Sequence, residues 1–95
     1  MIDCVDFGCG EGRTLPEGGV GVDLQRKLKS GRLVIADATK PVFKPKSFRY
    51  ATMMHTLEHL PSLKAVEAAV KEATSVATEY VHIIGPWFDS DEYLA

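Results

Sequence analysis

The spacing of apolar and polar positions divides the chain into five short runs of strand type and one longer run of helical type. Ile2 to Phe7 is β-rich and apolar apart from its acids, and it runs into Gly8, Gly10 and Gly12, the pattern of a strand that ends in a glycine turn. Gly19 to Leu24 and Arg32 to Ala36 read as a second and a third strand, closing at Asp23 and Asp37. Phe48 to Met54 reads as a fourth, and Tyr80 to Gly85 as a fifth, stopped by Pro86. Between the last two lies the one long helical pattern. After Pro61 and Ser62, apolar residues recur at Leu63, Val66, Ala69, Val70, Ala73, Val76 and Ala77, with Lys64, Glu67, Lys71 and Glu72 on the opposite face, which predicts a helix over about 62–77.

A strand, a helix and a strand in succession imply parallel pairing through a right-handed crossover, and hence an open, mostly parallel α/β sheet. The links between the first three strands are too short and too rich in glycine and proline for full helices. One face of the sheet is therefore expected to be covered by loops or single turns. No repeat or linker interrupts the chain, and residues 1–95 read as a single domain.

With 95 residues, 45% of them hydrophobic and 25% charged, the composition is that of one globular domain and excludes an enzyme of separate lobes. A domain of this size buries roughly 60–65% of its unfolded surface, so its core is thin. No apolar run approaches the roughly 18 residues of a membrane span and the chain opens directly on a strand, so the expectation is a cytoplasmic protein without a membrane partner. Cys4 and Cys9 lie too close together for a disulfide framework and match no metal-binding spacing; both read as free thiols. The net charge of −2 excludes a generally basic nucleic-acid binder. Yet Arg26, Lys27, Lys29, Arg32, Lys40, Lys44, Lys46 and Arg49 crowd the stretch 24–49, where Asp37 is the sole acid. That stretch is either an anion-facing surface or a solvated border in which lysines protect a sheet edge.

Candidate chemistry gathers at Asp6-Phe7-Gly8-Cys9-Gly10-Glu11-Gly12, where glycines alternate immediately after a strand. Glycine lets the backbone turn sharply and approach a ligand, and an acid at a strand end accepts hydrogen bonds from an ammonium or a hydroxyl. A dinucleotide fingerprint needs G-x-G-x-x-G, and Arg13 stands at its third glycine; a Walker A loop is missing its G-K-[ST]. Nicotinamide and flavin cofactors are disfavoured accordingly.

With VDFGCGEG at 5–12, GVDL at 21–24, ADAT at 36–39 followed by Phe43 and Ser47-Phe48, and HTLEHLP at 55–61, the chain resembles the class I S-adenosylmethionine-dependent methyltransferases. The resemblance is to the branch that carries H-x-L-E-H-L after the fourth strand, and it covers nearly the whole chain. It implies a Rossmann-like three-layer sheet of about five strands in the order 3-2-1-4-5, with helices reduced on one face. It also implies a methyl transfer from S-adenosylmethionine in which the protein chiefly holds nucleophile and methyl group in line. On that resemblance Gly8, Cys9, Gly10 and Gly12 would wrap the methionine part of the cofactor, with Asp6 near its amino group. Asp23, with Leu24 beside it, would take the ribose hydroxyls, Asp37 with Ala38 would hold the adenine, and Met54 with His55 would lie beside the cofactor.

Departures from the family pattern accompany the resemblance. The helices after the glycine loop and after GVD are largely missing, Arg49 stands where the family usually carries an acid, and the family's final helix and antiparallel strands have no counterpart. The expectation is either part of a longer chain or a minimal form that completes its sheet by association, strand five being an apolar edge open to a second copy. His55-Thr56-Leu57-Glu58-His59 also fits the H-x-x-E-H of zinc proteases, but Pro61 leaves little helix to hold the pair and no metal is assigned. Within the methyltransferase reading His55 or His59 is a candidate general base, or alternatively a cap on a short helix. His82 reads as a strand residue, and Trp87 and Phe88 either line an acceptor pocket or pack elsewhere, ahead of a solvated Asp89 to Glu92. A small-molecule methyl acceptor is the leading expectation. A binding module without catalysis and a nucleic-acid-directed enzyme using the stretch 24–49 stand as alternatives.

Overall fold

The computed structural model describes residues 2–85; Trp87, Phe88 and the stretch from Asp89 to Glu92 lie outside the described residues. Five strands form one sheet in the order β3-β2-β1-β4-β5: β1 is Ile2–Phe7, β2 Val20–Asp23, β3 Arg32–Ile35, β4 Phe48–Met54 and β5 Ala77–Ile84. Every pairing is parallel. The strand order and the parallel sheet are those the sequence predicts. A single 3-10 turn at Leu57–His59 and the helix α1 at Leu63–Val76 connect β4 to β5.

Helix α1 starts where its cap permits. Ser62 is extended, and its hydroxyl accepts a hydrogen bond from the Ala65 N–H at 3.1 Å, satisfying one of the donors that a helix start leaves without a partner. The inward face of α1 is small: Ala69, Ala73 and Val76 are buried completely, which lets the helix approach β4 and β5 closely. Its end corrects the sequence reading, because β5 begins at Ala77 rather than Tyr80 and no loop intervenes. Ala77 fits the apolar period of the helix, but it pairs with Phe48, and Glu79 bonds the Arg49 guanidinium on the neighbouring strand. Cross-strand pairing decides the boundary that periodicity alone leaves open.

The two faces of the sheet differ. On the α1 side, Val5 and Phe7 of β1, Val20 and Val22 of β2, and Ala51 and Met53 of β4 form the core with Leu57 and the inward face of the helix. Phe43 meets Phe48 edge to face, with centroids 4.9 Å apart. On the other side, where Cys4, Asp6, Tyr50 and Thr52 point, the glycine loop and the turns that follow it stand in place of a helix. Cys9 packs on Gly21 of β2 so closely that a Cβ there would sit 2.5 Å from its sulfur. Further along this face Tyr50 and Tyr80 stack at 5.0 Å, leaving Tyr80 and Ile84 exposed. Cys4 and Cys9 are both buried and unpaired. Among the described residues, no helix is long and apolar enough to cross a membrane.

The cap on α1 gives a direct check. Ser62→Ala is expected to lower the unfolding free energy by about 1 kcal/mol, read as a fall of several degrees in the thermal midpoint, while Ser62→Asp retains stability close to that of the parent.

Candidate functional site

The glycine loop is ordered by its own backbone. Gly8 and Cys9 both donate to the Val22 carbonyl, at 2.7 and 3.1 Å, and the Gly12 N–H donates to the Cys9 carbonyl at 2.9 Å. Gly8, with φ of 75°, lies in the left-handed region, and a Cβ there would come within 2.5 Å of the Thr56 hydroxyl oxygen. Thr56 has little freedom to yield, because its hydroxyl donates to the Phe7 carbonyl at 2.9 Å. Glycine is required at position 8 on both counts.

Asp23 closes the loop from the β2 side. Its Oδ2 accepts from the Gly10 N–H and its Oδ1 from the Gln25 N–H, both at 2.9 Å, so one carboxylate ties the turn after β1 to the turn after β2. Asp37, just beyond β3, builds a local turn in which its Oδ1 accepts from the Thr39 hydroxyl at 2.7 Å and the Thr39 N–H at 2.8 Å. The hydroxyl, and then the N–H, hold the Asp37 carboxyl below its ordinary value. Asp23 keeps one lone pair open on each oxygen and Asp37 keeps its Oδ2 open, so both groups can still accept from a ligand.

These elements enclose a cleft of about 230 Å³ at the carboxyl ends of β1, β2, β3 and β4. Asp23 and Asp37 supply its charge, Val22, Leu24, Ala36, Ala38 and Leu60 its apolar surface, and Gly8, His55, Thr56 and His59 complete it. His55 has a φ of 56°, unusual outside glycine, and donates its N–H to the Ile84 carbonyl of β5 at 2.6 Å; its Nδ1 lies 3.8 Å from a Glu58 carboxylate oxygen. His59 belongs to the 3-10 turn and His55 precedes it, so the two imidazoles do not share one helical face as H-x-x-E-H zinc sites require.

Of the residues singled out from the sequence, Gly8, Asp23, Leu24, Asp37, Ala38, His55 and His59 come together around the cleft. Gly10 and Gly12 shape the loop without lining the cleft, and Met54 lies half-buried at the end of β4. Cys9 faces β2, and burial foremost, with the Asp23 and Asp6 charges adding, pushes its thiol up to about 11. Asp6 is fully buried beneath the loop, where its Oδ1 accepts from the Thr52 hydroxyl at 2.7 Å and its Oδ2 from the Thr14 hydroxyl at 2.8 Å. Thr14, Thr52 and Thr56 escaped the sequence reading. The signal for the first two was present, since a carboxylate inside a strand requires donors. Val22 and Ala36 were legible only as strand residues, and Leu60 only as part of the HTLEHLP stretch. Arg49 pairs with Glu79 and with Asp3 at the amino ends of the strands, the end opposite the cleft.

No protein-family model matches the chain, and no curated protein sequence matches it. The chain is similar to a crystal structure of a SAM-dependent methyltransferase from Methanosarcina mazei, with a TM-score of 0.75 at 19% sequence identity, covering 99% of this chain and 58% of that one. The likeness shows a shared Rossmann-like fold. The chain spans 58% of the length of that protein.

Burial raises the Asp6 carboxyl above its ordinary 3.8, outweighing the hydroxyls of Thr52 and Thr14 that favour its charge. Between 3.8 and the raised value the folded protein keeps a proton that the unfolded chain has released. The contribution of Asp6 is thus complete below that interval and is lost as pH rises through it. Asp37 acts in the opposite sense, its contribution being lost as pH falls through its lowered folded value. In urea unfolding across the acid range, the stability of the parent minus that of Asp6→Asn is expected to fall as pH rises from 3.8. A rising difference contradicts the assignment.

Proposed function

We propose that this chain is an S-adenosylmethionine-dependent methyltransferase domain whose cleft holds the adenosine part of the cofactor. The observation that carries the reading is the convergence of two half-buried carboxylates, Asp23 and Asp37, on one apolar-walled cleft at the carboxyl ends of adjacent strands. That is where open α/β sheets take their ligands. Ionised carboxylates only accept hydrogen bonds, so the site suits a ligand that presents donors. A ribose diol and the exocyclic amine of adenine are such donors, and the flat apolar body of a purine suits Val22, Ala36, Ala38 and Leu60. The residues fit the group.

When bound, S-adenosylmethionine supplies an electrophilic methyl group on a sulfonium. Asp23 accepts from the ribose hydroxyls while still fastening the loop through Gly10, and Asp37 accepts from the adenine amine through the lone pairs that Thr39 leaves. Leu24 and Ala38 shield the nucleoside from water. His55 is placed at the mouth by its left-handed backbone and its bond to β5, and together with His59 it offers an imidazole to take a proton from an acceptor that must lose one. The acceptor proposed is a small molecule.

Thermal unfolding tests the reading. S-adenosylmethionine at about 100 times its dissociation constant adds roughly 2.7 kcal/mol, and the midpoint is expected to rise by several degrees. Asp37→Ala is expected to remove most of that rise while remaining folded by circular dichroism. An unmoved midpoint in the parent protein contradicts the proposal.

A further inference from the structure

Strand β3 closes one border of the sheet, with β2 as its one strand neighbour among the described residues. Just past its end, the Ala36 N–H donates to the Asp23 carbonyl at 3.0 Å. In a parallel pair, alternate residues bond the same neighbour through both N–H and C=O, so Val34 and Arg32 turn to β2 as Ala36 does, while Leu33 and Ile35 turn their backbone groups outward. Among the described residues no hydrogen bond reaches these outward groups. Open edges are commonly guarded by a charge within the strand, a proline or a bulge. From Leu33 to Ile35 β3 has none of these: the residues are apolar, the register with β2 is unbroken, and Ile35 is 48% exposed.

The charge lies instead in Arg32 at the head of the strand and in its two connections. The connection that enters β3 runs beside the glycine loop, where Leu28 lies against Gly12, and carries Arg26, Lys27 and Lys29. The connection that leaves β3 turns to the α1 face, where the Val42 N–H donates to Glu72 at 3.2 Å and the Lys46 N–H to the Ser75 carbonyl at 2.9 Å; it carries Lys40, Lys44 and Lys46. Of these seven cations only Lys29 has an acid within 4 Å, Glu11, among the described residues. Unpaired positive charge thus brackets an open strand edge from both faces of the sheet.

We propose that β3 is a docking edge for an acidic, extended segment of a partner protein, which adds as a further strand beside Leu33 and Ile35 while its carboxylates meet the flanking cations. A second copy offering the same edge would set these cations against themselves, so the charge that admits an acidic strand also discourages self-pairing. A single-stranded nucleic acid is held by aromatic faces on which its bases stack, and the aromatic residues of this stretch, Phe43 and Phe48, pack on each other instead. Leu33 and Ile35 do not line the cleft, and the proposal does not rest on the adenosine reading.

Titration of the chain with a short peptide alternating glutamate and valine, combined with amide hydrogen exchange, tests the proposal. Saturable binding is expected, at least tenfold tighter than that of the lysine–valine counterpart and of the same acidic peptide with every amide N-methylated. The bound peptide is expected to slow exchange at the Leu33 and Ile35 amides by tenfold or more. Ile35→Pro removes an outward N–H and leaves the bonds of Val34 and Ala36 to β2, and it is expected to weaken binding tenfold or more. The proposal is overturned if the acidic peptide does not bind, if it binds within tenfold of either counterpart, or if exchange at Leu33 and Ile35 is unchanged in the complex. Oligouridylate binding more tightly than the acidic peptide also overturns it, in favour of a nucleic acid. The peptide comparison in the parent protein decides the matter even where Ile35→Pro does not fold.

Discussion

The carboxylate of Asp23 holds the site together. One oxygen receives the Gly10 N–H and the other the Gln25 N–H, so the turn leaving β1 and the turn leaving β2 are fixed by a single side chain. Just behind it, the Val22 carbonyl receives both Gly8 and Cys9. Here no helix follows either turn, and helical packing cannot position the loops. Hydrogen bonds to the end of β2 do so instead, and the cleft exists because they do.

That economy follows from the two faces of the sheet. A thin core on the α1 side, built from Val5, Phe7, Val22, Ala51 and Met53 against alanines, supplies the burial. The opposite side is closed by a polar arrangement in which Asp6 receives hydroxyls from Thr14 and Thr52, with Cys9 filling the space above Gly21. A buried, satisfied carboxylate contributes less stability than apolar packing but specifies where the covering turns lie. The acid at the end of β1 thus serves the architecture, while the acids at the ends of β2 and β3 face the cleft.

Much of this was legible in the residues. Alternating apolar runs placed the five strands, the period of the helix placed α1, and the short links excluded helices between β1, β2 and β3. The start of β5 was not legible, because alanine at 77 satisfies helix and strand alike and only its pairing with Phe48 decides. In the site, Asp23, Asp37 and Gly8 announced themselves by their places at strand ends. Asp6 carries the same sequence signature as they do, yet it points under the loop; strand alternation sets that direction and a short motif does not reveal it. Thr56 was hidden inside a motif read for its histidines. Its part is to bond Phe7 and to fill the space where a side chain at position 8 would stand.

The most direct test of the account is an amide nitrogen–proton correlation spectrum of the chain titrated with adenosine. The account predicts saturable shifts at Gly8, Gly10, Asp23, Gln25, Ala38, Thr39 and Thr56, with Asp3, Arg49 and Glu79 at the amino ends of the strands unmoved. Shifts gathered at Tyr50 and Tyr80, or a spectrum that adenosine leaves unchanged, would contradict it.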